Sequence, residues 1–198
     1  RAKKQADGQS CQLQRIVCHL DDPYSLSNDN VYCTYQDANK RIWVATFAGG
    51  INYIDRDVSG KMVFINHRNH LKGYPIDNCY KVRFITSDSG GLIWVGTTTG
   101  AISFNGNFTK PEDIVFRHHG RVPGDPNSLS NNDIHWIINT KNSELYFADF
   151  GDGLNKLISI DEAGNARFKS YTVQDGLPSD VILSMFEDGK QNLWMSTE

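Results

Sequence analysis

The side chains with chemical potential are scattered along the chain. His118 and His119 are adjacent. Neighbours on a strand point to opposite faces, so this pair does not share one metal ion. His67, His70 and His135 have no partner at ligand-like spacing. Asp149-Phe150-Gly151-Asp152-Gly153 has the look of a cation loop. It lacks the Asp/Asn series and terminal Glu of an EF-hand, and its place between two strands makes it a turn. The cysteines stand at 11, 18, 33 and 79, with no Cys-x-x-Cys and no zinc spacing. In an oxidising compartment Cys11 and Cys18 are able to form a disulfide, though an even cysteine count does not require one, while Cys33 reads as a buried thiol. Gly49-Gly50 and Gly90-Gly91 are turn glycines without a following Gly-Lys-Ser/Thr, and no Gly-x-Ser-x-Gly occurs. Asn107-Phe108-Thr109 is a sequon that matters only in a eukaryotic secretory route. No two carboxylates single themselves out as a glycosidase pair. The expectation is a chain without catalytic residues, metal or cofactor.

Composition narrows the framework that must hold these residues. Of 198 residues 39% are apolar and 22% charged, enough for a packed core. Net charge is −3 with no basic stripe, which argues against nucleic-acid binding. No apolar run approaches the ~20 residues of a membrane span. The chain opens at Arg1 without a signal-peptide pattern, as an excised segment would. There are 18 Asp but 5 Glu, beside 17 Asn and 17 Gly. Asp, Asn and Gly build turns, and the four Trp, eight Tyr and ten Phe favour strands. An all-β chain rich in tight turns follows.

Its order is periodic. An aromatic flanked by apolar residues recurs at Trp43, Trp94, Tyr146 and Trp194, spaced 51, 52 and 48 apart. Twelve residues before each stands Val31, Val82, Ile134 or Ile182. Six before three of them is Asp37, Asp88 or Asp188, with Thr140 in the third copy. Three after come Thr46, Thr97 and Thr197, with Asp149 breaking the series; eight after come Ile51, Ile102 and Leu154. A further marker, apolar then His or Tyr three later, reads Ile16/His19, Phe64/His67, Phe116/His119 and Phe168/Tyr171. That repetition assigns His119 to packing. Each unit holds four short runs, in the first Val31–Tyr35, Arg41–Thr46, Gly50–Ile54 and Met62–His67. In the third, alternation places Ile134, Trp136 and Ile138 on one face and His135 and Asn139 on the other. Four antiparallel strands at this period describe a β-propeller blade, with the aromatic filling the wedge between blades.

The repeat resembles the two-component regulator propeller repeat. The resemblance rests on Val31 to Asn52, with Asp37, Ile42-Trp43-Val44, Thr46 and Gly49-Gly50-Ile51, and on Val82 to Thr97, with Ile93-Trp94-Val95-Gly96-Thr97. The lead-ins Ser25-Leu26-Ser27-Asn28, Ser128-Leu129-Ser130-Asn131 and Gly176-Leu177-Pro178-Ser179 add to it. It covers about residues 13–198, with first strands near 31, 82, 134 and 182, and leaves 1–12 as an N-terminal lead-in. Sialidase propellers place Asp five before Trp, so the spacing of six here argues against that class. The resemblance implies the periplasmic sensor region of a hybrid histidine kinase, anchored in the inner membrane. It implies recognition of an oligosaccharide or related nutrient and signalling to a kinase outside this chain, which is then no enzyme itself.

A whole ring at this period needs roughly 300–400 residues. The chain supplies three blades, an outer strand at Ile16–His19 and two strands at Ile182–Thr197. The fold expectation is therefore all-β, a partial propeller of about four repeats of four antiparallel strands, unclosed. Its open faces are expected to meet further blades and domains of a parent chain, or to self-associate. Ligands are expected on the face carrying the loops into strand one and between strands two and three. The candidates there are Tyr24, Phe47, Asp149, Phe150 and Asp152, with Arg83 and His135 on first strands; aromatics would stack on sugar rings and polar groups take hydroxyls. Two alternatives stand beside sensing: a propeller glycoside lyase or hydrolase, and a structural segment without a ligand site.

Overall fold

The computed structural model describes residues 2–4 and 11–198. A hairpin of β1 (Ala2–Lys4) and β2 (Cys11–Leu13) comes first. Blade 1 holds β3 (Val31–Gln36), β4 (Ile42–Thr46), β5 (Gly50–Arg56) and β6 (Met62–Asn66). After the one-turn helix α1 (Ile76–Cys79), blade 2 holds β7 (Val82–Ser87), β8 (Leu92–Thr97), β9 (Gly100–Asn105) and β10 (Arg117–His119). Blade 3 holds β11 (Ile134–Asn139), β12 (Leu145–Asp149), β13 (Leu154–Ile160) and β14 (Ala166–Tyr171). Blade 4 holds β15 (Ile182–Glu187) and β16 (Leu193–Thr197). Each sheet is antiparallel in chain order, and the first strands β3, β7, β11 and β15 lie side by side. This is the unclosed propeller expected of the period.

Blades pack face on face. Trp43, Ala45 and Ile51 of blade 1 meet Val82, Ile85 and Ile93 of blade 2. Trp94 and Ala101 of blade 2 meet Ile134, Ile137 and Phe147 of blade 3, with Leu129 between them. Ala148 and Leu154 meet Ile182 and Met185 of blade 4. The repeat positions reveal where neighbours stop. Val82, Ile134 and Ile182 are 0% exposed, but Val31, on the face of blade 1 turned away from blade 2, is 43% exposed. Trp43 and Trp94 are 0% exposed, but Trp194 is 62% exposed.

The recurring Asp has two jobs. Trp43 Nε1 donates to Asp37 Oδ2 at 2.9 Å, and Arg41 N donates to Asp37 Oδ1 at 2.9 Å. Asp88 serves Trp94 Nε1 at 3.0 Å and Leu92 N at 2.9 Å; Asp188 serves Trp194 Nε1 at 3.0 Å and Asn192 N at 2.9 Å. One carboxylate thus closes the first turn and satisfies the indole N–H, which is buried in blades 1 and 2 and exposed in blade 4. The third copy lacks both the Asp and the Trp but keeps the bond that closes the turn. Thr140 Oγ1 accepts from Glu144 N, and the Tyr146 hydroxyl donates to Glu144.

Three expectations need correction. No strand forms at Ile16–His19; Ile16 packs on Leu26, Val44 and Phe64 over blade 1, and the strand lies at Cys11–Leu13. The position eight after the aromatic is not one structural position. Ile51 and Leu154 pair with Ala45 and Ala148, but the turn after Thr97 is one residue shorter, so Gly96 pairs with Ala101. Ile102 therefore points to the opposite face. Simple alternation in the first strands also fails. A bulge follows the first residue of each, so Ile134 shares its face with Ile137, while Trp136 and Ile138 turn toward blade 4. A Cys11–Cys18 disulfide would involve a Cys11 side chain outside the described ones.

Candidate functional site

The bulges create the site. They fall between Val31 and Cys33, Val82 and Phe84, Ile134 and Trp136, and Ile182 and Ser184. The extra residues are Tyr32, Arg83, His135 and Leu183. A bulge frees one side chain from the face-to-face packing of its sheet and re-aims it. Four adjacent first strands therefore present four such side chains in a row.

The loops after the second strands supply partners. Phe47 N donates to Asn30 O and Phe150 N donates to Asp133 O, while each residue bridges onward to the next blade, Phe47 to Lys81 and Phe150 to Val181. Held this way, Phe47 stacks on Tyr32 with centroids 4.7 Å apart and planes at 17°. Phe150 stacks on His135 at 4.8 Å and 22°. Arg83 stands between the stacks. Its guanidinium lies 5.2 Å from the Phe47 centroid and forms a bidentate pair with Asp133, Nε to Oδ1 at 2.9 Å and Nη2 to Oδ2 at 3.1 Å. Burial, then the Arg83 charge, lowers the pKa of His135, so the ring is neutral at pH 7. Asn131 Oδ1 accepts from Asp133 N and fixes the chain ahead of the pair.

The seven candidates thus divide. Phe47, Arg83, His135 and Phe150 come together. Asp149 and Asp152 adjoin them but do different work. Asp149 is 0% exposed, takes hydrogen bonds from Ser130 Oγ at 2.7 Å, Asn155 Nδ2 at 2.9 Å and Asp152 N at 2.8 Å, and so ties three segments of blade 3. Burial pushes its pKa up to about 6. Asp152 accepts from Asn131 Nδ2 at 2.7 Å and borders an open cavity of about 640 Å³ with Ser130, Ser170 and Thr172. Tyr24 lies apart, its hydroxyl 3.2 Å from His70 Nε2, with His70 Nδ1 paired to Glu112 at the outer junction of blades 1 and 2. Tyr32 and Asp133 escaped the sequence reading. Each stood at a repeat offset, Tyr32 one residue after Val31 as Arg83 follows Val82, and Asp133 one before Ile134.

Two flat aromatic stacks flanking a planar ion pair suit a ligand with apolar ring faces and peripheral hydroxyls. The rings offer dispersion contacts, and the Arg83–Asp133 pair offers the guanidinium N–H groups not spent on Asp133 beside a carboxylate acceptor. Among the described residues no group of three His, Cys, Asp or Glu is placed to hold a metal ion.

The two-component regulator propeller family model matches residues 25–48 and 176–198. These are the lead-in and first hairpin of blade 1 and the same part of blade 4. No curated protein matches. Several solved structures do. The extracellular domain of a protein described as a hybrid two component system from B. thetaiotaomicron shares 16% identity at a TM-score of 0.58, over 96% of this chain and 28% of that one. PorZ, a surface component of the type-IX secretion system of Porphyromonas gingivalis, shares 17% at 0.62, over 88% of this chain and 25% of that one. Virginiamycin B lyase from Staphylococcus aureus shares 16% at 0.55, over 88% of this chain and 52% of that one. The chain thus spans a quarter to about half the length of these structures. At such identities the likeness establishes the propeller fold.

Proposed function

We propose that this chain is part of the ligand-sensing propeller of a two-component sensor exposed outside the cytoplasm, and that it takes an oligosaccharide across Tyr32, Phe47, Arg83, His135 and Phe150. The observation that carries the reading is the repetition of one device. In blades 1 and 3 a bulged first-strand ring stacks on the phenylalanine after the second strand, and in blade 2 the same bulge supplies the charged pair between them. The matched repeat and the extracellular sensor domain from B. thetaiotaomicron support placing it in a sensor. Binding would be relayed to a kinase elsewhere in a hybrid parent, across the inner membrane from the periplasm.

Calorimetric titration with a panel of oligosaccharides tests this. One class should bind with measurable heat and emerge chemically unchanged. Arg83→Ala and Phe150→Ala should each weaken that binding about tenfold, the equivalent of ~1.4 kcal/mol. Product formation would replace sensing by a lyase or hydrolase. Heat with a longer sensor chain but none with these residues would move the site to other blades.

A further inference from the structure

The row of bulged residues carries its charge unevenly. The residue before each first-strand aliphatic is Asn30, Lys81, Asp133 or Val181. Asp133 is spent on Arg83, through hydrogen bonds of 2.9 and 3.1 Å. Lys81, its counterpart one blade earlier, enters no ion pair among the described residues. Its backbone is fixed, since it bridges to Phe47 and its carbonyl accepts from Thr98 N at 3.2 Å. Its ammonium stands 5.5 Å from the Phe47 centroid and 5.5 Å from that of Tyr80. The Arg83 guanidinium stands 5.2 Å from the same Phe47 ring. Two cations therefore converge on one aromatic, with a single carboxylate, already paired, to offset them.

The end of the row at Phe150 has the opposite character. Among the described residues no cation lies over its ring. Asp149 precedes it, and Asp152, held by Asn131 Nδ2 at 2.7 Å, follows two residues later. His135, stacked on Phe150, is kept neutral by burial and by Arg83, so it adds no positive charge. An anionic group at Phe150 would meet like charge, whereas at Phe47 it would meet an ammonium with no carboxylate of its own. Flanked by two rings, that ammonium is partly stripped of water, which strengthens its pull on an anion.

We propose that the row, on its reading above as an oligosaccharide site, takes an acidic oligosaccharide. A sugar bearing a carboxylate or sulfate sits at Phe47 against Lys81, and uncharged rings continue toward Phe150. Arg83 and Asp133, paired with each other, serve the hydroxyls between them.

Calorimetric titration of the chain with matched pairs tests this. Uronic-acid oligomers are set beside their carboxyl-reduced counterparts, and sulfated oligomers beside their desulfated ones. In one of these two families the acidic member should bind about fivefold more tightly at low salt, and the family that shows it distinguishes carboxylate from sulfate. The preference should shrink toward parity near ~1 M salt, where the Debye length is about 3 Å. Lys81→Met should erase the preference and Lys81→Arg should keep it, while Phe150→Ala should weaken both members alike. Neutral members that bind as tightly as acidic ones, or a preference that survives Lys81→Met, would overturn the proposal and leave the oligosaccharide site standing. Binding by no member of either family would remove that site and the proposal with it.

Discussion

Asp149 occupies the place of the threonines Thr46 and Thr97, and restoring threonine there should change how stability depends on pH. The aspartate's pKa rises from 3.8 in the unfolded chain to about 6 in the fold, because burial disfavours the carboxylate. Between those values the folded state holds a proton that the unfolded state has released. The contribution is full below pH 3.8 and falls away as pH climbs through 6. A gap of this size corresponds to about 3 kcal/mol lost between pH 4 and 7. His119 works in the opposite sense. Burial lowers its pKa from 6.5 to about 4, so its contribution is present above 6.5 and lost as pH falls through 4. In the parent the two trends oppose and should leave a shallow profile. Asp149→Thr removes one of them. Thr46 Oγ1 donates to Gly50 O at 2.9 Å and Thr97 Oγ1 to Gly100 O at 2.7 Å, so a threonine at 149 has Gly153 O to reach. Urea unfolding followed by circular dichroism at half-unit steps from pH 4 to 7.5 measures the difference between variant and parent. That difference should grow by about 3 kcal/mol in favour of the variant up to pH 6, then level off. A difference independent of pH would refute the reasoning, because it would mean that Asp149 titrates alike in both states.

Other perturbations separate repeat position from environment. Trp94→Ala should cost about 3–5 kcal/mol, roughly 6–20 °C in thermal midpoint, whereas Trp194→Ala in dilute solution should stay within about 0.5 kcal/mol. Equal costs would mean that the blades do not stack as described. Asp88→Ala strands the buried Trp94 indole N–H and opens the first turn of blade 2, so chemical denaturation should register a loss of about 1–3 kcal/mol. Gly153 has a φ of +91°, and a Cβ there would collide with Tyr171 O, so Gly153→Ala should lower the thermal midpoint markedly while Gly189→Ala, in open space, should not.

The sequence carried the architecture because the blade period is written in large residues. Trp43, Trp94 and Val82 are buried where one blade meets its neighbour, so the period is written in apolar residues. What it concealed were single-residue irregularities. A bulge after Val31, Val82 or Ile134 inserts no unusual residue type, so Tyr32 reads as an ordinary strand position and strict alternation puts Trp136 on the face opposite to the one it occupies. The one-residue shortening after Thr97 likewise hid behind a coincidental Ile102. Arg83, His135, Phe47 and Phe150 were legible because polar or aromatic residues at first-strand and turn positions had no packing duty. Asp149 drew attention by breaking a series, yet its carboxylate serves the interior of blade 3, joining Ser130 to Asn155. Tyr24 lies on a loop, but that loop runs along the outer strand β6, where Phe64 N donates to Tyr24 O.

The most direct measurement is amide hydrogen exchange of the chain with and without the oligosaccharide that titration selects. Binding at the row predicts slower exchange around Tyr32, Arg83, Asp133–His135 and Phe150, with the outer strands β6, β10 and β14 unchanged. Protection confined to Tyr24, His70 and the outer strands, with none at the bulges, would contradict it.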